Sequence, residues 1–263
     1  MDLGLTGKVA LVAAASKGLG RATAEELAAE GAHLVLCART DETLQQTCAA
    51  IREASGVRVL GIAADVANPA DVARLVQAAL AEFGQLDILV TNAGGPPAGT
   101  FEQHDAAAWD AATRLLLTSV VELTRAVLPG MKARGWGRIL NVTSITVKQP
   151  VGGLLLSNSL RAAVTGLART LATEVAPFGI TVNNILPGYT RTERVEHLAS
   201  ATATREGISE AEATARWTNE IPMRRLGEPR EFAALAAFLC SERASYITGT
   251  STAVDGGWIK GLY

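Results

Sequence analysis

A glycine-containing turn near the amino terminus has the residue types to bind a phosphate group. It reads AAASKGLG over residues 13–20 and joins the apolar run KVALVAA to a helical stretch. Gly18 and Gly20 lack a Cβ atom, so the backbone there could approach a pyrophosphate at the amino end of the helix. Two glycines alone fit equally well a tight strand-to-helix turn that binds nothing. The residues that follow must decide between the two interpretations.

Two cations indicate which nucleotide such a turn would bind. In sites for NAD, an acidic residue about twenty positions past the glycines bonds the ribose hydroxyls. Here the second apolar run, HLVLCA, ends instead at Arg39, and Lys17 lies within the turn itself. A guanidinium and an ammonium group suit the 2′-phosphate of NADP, although either could be a solvated surface charge. We therefore predict NADP as the cofactor.

The elements that must position these residues alternate along the chain. Short apolar runs rich in β-branched residues alternate with Ala-rich helical stretches, the longest of which span about 106–133 and 157–175. This alternation is typical of βαβ units. It predicts an α/β fold with a doubly wound parallel sheet of the Rossmann type, in a single domain over residues 1–263. A more polar stretch, at about 189–220, is the expected substrate lid.

Composition excludes several classes of function. With a formal net charge of −2 and 48% hydrophobic residues, the chain lacks the basic character of a nucleic-acid-binding protein. Its apolar stretches fall short of a membrane span and its start is unlike a signal peptide, so we expect a cytoplasmic protein without a membrane partner. We predict no metal site, because the cysteines and histidines lack ligand spacing. They are Cys37, Cys48, Cys240, His33, His104 and His197.

Several segments occur together in an order that resembles a known family. They are TGKVALV, SKGLG, Asp65-Val66, Asn92-Ala93-Gly94, GRILNVTS, PGYTRT, IPMRRLGEP and YITGTSTAVDGG. In combination the chain resembles the short-chain dehydrogenase/reductases over essentially its whole length, most of all the 3-oxoacyl-(acyl carrier protein) reductase branch. The resemblance implies a homotetramer that acts on a small-molecule or acyl-thioester substrate.

The same resemblance implies where the cofactor lies. Asp65 and Val66 would contact the adenine, residues 92–94 the ribose, and residues 187–192 the nicotinamide. The predicted cofactor-binding residues, including those of the turn, are Ala14, Ser16, Lys17, Gly18, Leu19, Gly20, Arg39, Asp65, Val66, Asn92, Ala93, Gly94, Pro187, Gly188 and Thr192.

The predicted reaction centre departs from the family pattern. Family members use an Asn, a Ser, a Tyr thirteen residues later and a Lys four residues after that. Only Ser144 matches, because Ser157 and Arg161 occupy the Tyr and Lys positions and Leu116 the Asn position. Ala14 likewise replaces the first glycine of the turn. The segment AAVTGLARTLATEVAPFGITVNNILPG continues the family pattern directly after Arg161, which argues against a misalignment.

These substitutions leave the source of a proton open. A serine hydroxyl such as that of Ser157 is a far weaker acid than a phenol, and Arg161 stays charged, so it could bond a ribose hydroxyl or an oxyanion but not cycle protons. Lys148 and Tyr189 are candidate replacements, against the alternatives of an exposed loop cation and a packing aromatic residue. We expect Ser144 to bond the substrate oxygen, although it could instead cap the backbone.

Three functions remain open at this point. The first is an atypical NADP-dependent oxidoreductase that reduces a carbonyl to an alcohol. The second is a catalytically inactive nucleotide-binding relative that acts as a sensor or an assembly partner. The third is a non-redox reaction on the same scaffold, such as a dehydration, because one fold hosts many chemistries.

Overall fold

The fold is a seven-stranded parallel sheet between two layers of helices. The computed structural model describes residues 2–262, and the sheet order is β3-β2-β1-β4-β5-β6-β7. The order reverses between β1 and β4, which is the switch point of a doubly wound sheet. The strands are β1 (Val9–Val12), β2 (His33–Ala38), β3 (Val59–Ala63), β4 (Ile88–Thr91), β5 (Gly137–Val142), β6 (Ile180–Pro187) and β7 (Ser251–Val254). The predicted single-domain Rossmann-type fold is confirmed.

Nine α-helices lie in the described part of the chain, residues 2–262. They are α1 (Gly18–Ala29), α2 (Asp41–Ser55), α3 (Pro69–Phe83), α4 (Ala106–Thr113), α5 (Ser119–Arg134), α6 (Leu155–Val175), α7 (Glu193–Glu206), α8 (Glu210–Glu220) and α9 (Pro229–Leu239). Within these residues, no helix combines the length and the apolar character that crossing a bilayer requires. The long helix predicted over 106–133 is interrupted by a π-helical turn at Arg114–Thr118. Apolar spacing alone does not distinguish such a wide turn from α-helix.

The central strands are apolar throughout because both faces of the sheet are covered. Every residue of β1, β4 and β5 is buried. On one face they pack with α1, α2 and α9, through residues such as Leu27 and Phe232. On the other they pack with α3, α5 and α6, through residues such as Leu75 and Val127. Burial on both faces explains why the strands read as continuous apolar runs rather than alternating ones.

A row of hydrogen-bonded polar side chains crosses the four strands β4 to β7. Thr91 of β4 donates its hydroxyl to the amide oxygen of Asn141 at 2.8 Å. The Asn141 Nδ2 donates to Asn184 Oδ1 at 3.2 Å, and the Asn184 Nδ2 donates to Ser251 Oγ at 3.1 Å. The same residues are register partners in the sheet. Because buried polar groups need partners, this row favours one register of β4 to β7.

We expect Asn141→Ala to lower the free energy of unfolding by about 3 kcal/mol, because it leaves buried groups of Thr91 and Asn184 without partners. Urea unfolding measures the loss. Thr181→Val is the matched control. Thr181 lies on the neighbouring strand and its buried hydroxyl has no partner within residues 2–262, so its removal should not destabilise the protein. An Asn141→Ala protein as stable as the Thr181→Val protein would show that the row contributes nothing.

Candidate functional site

The glycine-containing turn is tied to both neighbouring strands. The Ala13 N–H donates to the Val90 carbonyl at 3.1 Å, and the Ala15 N–H donates to the Cys37 carbonyl at 3.0 Å. Between them, Ala14 has a φ of 49°, in the left-handed region that favours glycine. At Gly20, a Cβ atom would collide with the carbonyl oxygen of Ala14. The turn therefore requires glycine at position 20, while Ala14 accepts a strained backbone.

The amino end of α1 is left without side-chain partners. Lys17 precedes the helix and makes no capping hydrogen bond, and the first turn holds no acidic residue. Free backbone N–H groups and the positive end of the helix dipole together favour an anion. The Lys17 ammonium instead forms an ion pair with Glu193, at the start of α7, at 3.0 Å. Arg39 is exposed and takes part in none of the ion pairs or side-chain hydrogen bonds found within residues 2–262.

Other predicted cofactor residues meet the turn from several strands. The Asn92 Nδ2 lies 3.5 Å from the Ala14 carbonyl oxygen. Thr192 lies over the turn, since a Cβ on Gly18 would be 3.5 Å from its methyl group. At Gly94 a Cβ would meet nothing within 4 Å, so the backbone there borders open space. Asp65 follows β3 and accepts a hydrogen bond from the Ala67 N–H at 3.0 Å.

The remaining members of the predicted set lie in the same region or close to the same edge of the sheet. Ser16 accepts a hydrogen bond from the Thr47 hydroxyl at its carbonyl oxygen, at 3.0 Å. Pro187 ends β6. Gly188 packs so closely on Asp255 that a Cβ added to the glycine would lie 2.7 Å from the Cα of Asp255. Three further predicted cofactor residues follow the same strands: Leu19 in the first turn of α1, Val66 after β3 and Ala93 after β4.

Ser144 is held at the end of β5 with a hydrogen free to donate. Its Oγ accepts a hydrogen bond from the Thr146 N–H at 3.1 Å, at the start of the 3₁₀ turn Ile145–Val147. A hydroxyl can accept and donate at the same time, so this contact fixes the oxygen while leaving its proton available. Capping the backbone and bonding a substrate oxygen are therefore compatible roles.

Ser157 and Arg161 project from one face of α6, one turn apart. Ser157 is buried at 8% exposure, and its hydroxyl makes none of the side-chain hydrogen bonds found within residues 2–262. The Arg161 Nη1 donates to the Val142 carbonyl at 2.8 Å, at the end of β5. Burial, and then the positive charge of Arg194, lower the pKa of the Arg161 guanidinium to about 10. It therefore remains protonated at neutral pH.

A small cavity lies beside Arg161. Its volume is about 10 Å³, room for about one water molecule. Thr143 lines it, with a buried hydroxyl that has no partner within the described residues 2–262. Asn92 and Leu116 line other sides, and none of the lining residues is an acid, a histidine or a tyrosine. Leu116 is buried in the π-helical turn and packs with Leu156 and Leu160.

The two candidate proton donors lie in different environments. Lys148 is exposed after the 3₁₀ turn. Tyr189 stacks on Trp217 with ring centroids 4.8 Å apart and meets Trp258 edge-on at 6.0 Å. Burial, and then the negative charge of Glu220, raise the pKa of the Tyr189 phenol to about 12. Tyr189 therefore fits an aromatic packing role better than that of an acid.

Comparisons with known proteins agree with this geometry. A family model described as enoyl-(acyl carrier protein) reductase matches residues 13–259. A rabbit (Oryctolagus cuniculus) protein, dehydrogenase/reductase SDR family member 4, is 37% identical over 254 residues, which cover 96% of this chain and 94% of the rabbit protein. The chain belongs to the short-chain dehydrogenase/reductase family.

Other short-chain dehydrogenase/reductases extend the likeness. The 3-oxoacyl-(acyl-carrier-protein) reductase of Vibrio cholerae is 36% identical over 255 residues, which cover 97% of this chain and 98% of that protein. L-Sorbose reductase from Gluconobacter frateurii, solved as a complex with NADPH and L-sorbose, superimposes with a TM-score of 0.95 at 39% identity, over 100% of both chains. The chain is thus established as a member of a family of oxidoreductases.

Sequence reasoning did not single out Arg194, which enters the site from α7. Its Nη2 donates to the Pro96 carbonyl at 3.1 Å, in the segment after β4. A Cβ on Gly95 would lie 2.5 Å from that nitrogen, so the guanidinium packs directly on the glycine. The one available signal was a cation two residues after Thr192 in the sequence PGYTRTER. Nothing local in that sequence pairs it with Gly95.

We expect Ala14→Gly to raise the free energy of unfolding of this short-chain dehydrogenase/reductase by about 1 kcal/mol, because glycine relieves the left-handed backbone. Ala15→Gly is the control, since Ala15 is buried and lacks a positive φ; it should lose about 1 kcal/mol. Denaturant unfolding of both variants measures the difference. Equal losses in the two variants would contradict a strained Ala14.

Proposed function

We propose that this chain is an atypical NADP-dependent oxidoreductase of the 3-oxoacyl-(acyl carrier protein) reductase type, which reduces a carbonyl to an alcohol. One observation carries the proposal. The amino end of α1 has no side-chain cap, the turn before it accepts only glycine at position 20, and Arg39, which has no ion-pair partner within residues 2–262, follows the neighbouring strand β2. The NADPH complex of L-sorbose reductase supports the same choice of cofactor.

The residues present fit a dinucleotide phosphate. The free N–H groups of α1 and the close backbone at Gly20 suit the pyrophosphate, and Arg39 suits the 2′-phosphate through paired N–H donors. Gly94 borders open space where a ribose would lie. A bound nicotinamide supplies the hydride that the carbonyl carbon accepts. The protein must then hold the carbonyl and see that its oxygen gains a proton.

Ser144 is proposed to hold the carbonyl oxygen. Its Oγ is fixed by the Thr146 N–H, so its own hydrogen points to whichever acceptor lies in the cleft. As hydride adds to carbon, negative charge develops on the oxygen, and a positioned donor stabilises that charge most in the transition state. The charged Arg161 adds a favourable field from the neighbouring helix.

Water is proposed as the source of the proton. Tyr189 has a pKa of about 12, and the Ser157 hydroxyl is a weak acid in a buried position. The cavity beside Arg161 has room for about one water molecule and contains the unpaired Thr143 hydroxyl, which such a water would satisfy. One hydride and one proton then balance the conversion of ketone to alcohol. Lys148 remains the alternative donor from the exposed loop.

The resemblance to the family also supports a proposal on assembly and on the substrate lid. We propose a cytoplasmic homotetramer in which α7 and α8, within 189–220, cover the substrate. The ion pair between Lys17 and Glu193 supports the lid, because it joins α7 directly to the cofactor turn.

We expect Arg39→Gln to weaken NADPH binding by roughly 10- to 100-fold, because the 2′-phosphate loses a charge-assisted pair of hydrogen bonds. Binding of NADH, which lacks that phosphate, should be unchanged. Calorimetric titration with each nucleotide measures this. Arg58→Gln is the control. Arg58 is an exposed arginine at the amino end of β3, whereas Arg39 lies at the carboxyl end of β2. If Arg39→Gln left the affinity for NADPH unchanged, the proposed role of Arg39 would be wrong.

Single-turnover oxidation of NADPH with a 3-oxoacyl thioester tests the chemistry. We expect Ser144→Ala to slow the step roughly 10²- to 10³-fold, as the loss of one oxyanion donor does. Tyr189→Phe should leave the rate within about threefold, because its phenol packs and stays neutral. Binding of NADPH without oxidation by any carbonyl compound would favour the inactive relative or the non-redox reaction.

A further inference from the structure

Arg161 and Arg194 bring two positive charges into the site without a matching carboxylate. Arginines of the nearby lid pair with acids, as Arg216 does with Glu206. Neither Arg161 nor Arg194 is in any ion pair within 4.0 Å among residues 2–262. Glu193, the residue next to Arg194, is itself paired with Lys17. The site therefore holds uncompensated positive charge.

Arg194 is held in place by contacts that leave most of its donors free. Its Nη2 donates to the Pro96 carbonyl at 3.1 Å. A Cβ on Gly95 would lie 2.5 Å from Nη2, 2.6 Å from Cζ and 2.7 Å from Nε, so only glycine allows the guanidinium to lie there. Within residues 2–262, its Nε and Nη1 make no hydrogen bond. The residue is exposed overall, while burial lowers the pKa of its guanidinium, so the group lies at the boundary between protein and solvent, where a ligand can meet those donors.

Arg161 faces the same edge from α6. Only its Nη1 is used among the described hydrogen bonds, towards the Val142 carbonyl. Val142 ends β5 and Ser144 follows two residues later, while Pro96 follows β4, the neighbouring strand. Arg161 lines the small cavity together with Asn92 and Ala93, and Arg194 lies on Gly95 and Pro96 of the same segment after β4. The positive charge of Arg194 accordingly helps to lower the pKa of Arg161. Two like charges held together in a cleft repel each other, and a bound anion removes that cost.

We propose that the guanidinium groups of Arg194 and Arg161 bind an oxyanion group of the substrate, a carboxylate or a phosphate, next to the carbonyl at Ser144. This inference rests on the carbonyl reduction of the proposed function, and as the substrate it favours an oxo acid or a phosphorylated ketone over a 3-oxoacyl thioester. Guanidinium groups recognise both oxyanions through paired N–H donors. An uncharged ketone or ester would leave the two charges uncompensated.

The test compares charged probes with uncharged counterparts. The full chain is saturated with NADP⁺, so that no reduction takes place, and titrated calorimetrically with 2-oxobutanoate, 2-oxooctanoate and dihydroxyacetone phosphate. The counterparts are the two methyl esters and dihydroxyacetone. We expect at least one anion to bind 10-fold or more tightly than its counterpart. A preference shown by an oxo acid would identify the bound group as a carboxylate, and one shown by dihydroxyacetone phosphate would identify it as a phosphate.

Variants separate the anion site from a general effect of charge. In Arg194→Gln, the ratio of the affinities for the charged probe and its uncharged counterpart should fall about 10-fold. Arg194→Lys should keep part of this preference. Gly95→Ala should weaken the preference, although both arginines remain, because a Cβ would displace the Arg194 guanidinium from its place on the glycine. Arg125→Gln, which removes an exposed arginine of α5 outside the lid, is the control and should leave the preference unchanged.

Equal affinity for all three pairs would overturn the proposal, as would an unchanged preference in Arg194→Gln. Competition between NADP⁺ and every anion would also overturn it, because the arginines would then bind a phosphate of the cofactor. If NADP⁺ fails to bind, the proposed function fails. An Arg194-dependent preference in the nucleotide-free protein would then still support the anion site, so the two failures are distinguishable.

Discussion

The parallel sheet, buried between two layers of helices, is the constraint on which the site depends. Its backbone hydrogen bonds and the polar row from Thr91 to Ser251 favour one register. All the strands therefore end at the same edge, and the segments after β1, β4 and β5 meet there. Ser144 follows β5 and Asn92 follows β4, and this register sets their relative position.

The turn after β1 contains a strained backbone. Ala14 adopts a left-handed conformation and its carbonyl oxygen lies where any Cβ on residue 20 would be. Hydrogen bonds from Ala13 and Ala15 to neighbouring strands hold the turn in that shape. Such strain persists when the surrounding structure over-determines it, as these hydrogen bonds do here.

Charge is distributed unevenly around the cleft. Lys17 is neutralised by Glu193, whereas Arg161, Arg194 and Arg39 have no carboxylate partner within residues 2–262. A cleft lined by one sign of charge attracts ligands of the opposite sign. The proposed cofactor phosphate at Arg39 and the proposed substrate oxyanion at Arg194 both follow from this distribution. The reaction would then depend on positioned cations and water rather than on an acidic side chain.

The sequence by itself determined the strands, most of the helices and the position of the glycine-containing turn, because apolar periodicity and glycine placement are local properties. The order of its motifs also pointed to the family. It also predicted roles for Ser144 and Arg39, which lie just past the ends of β5 and β2. Only the tertiary structure decided the π-helical turn at Leu116, the aromatic stack around Tyr189 and the contact of Arg194 with Gly95. These depend on side chains far apart in sequence, whose packing raises the pKa of the Tyr189 phenol and brings two cations together, and no local pattern encodes such neighbours.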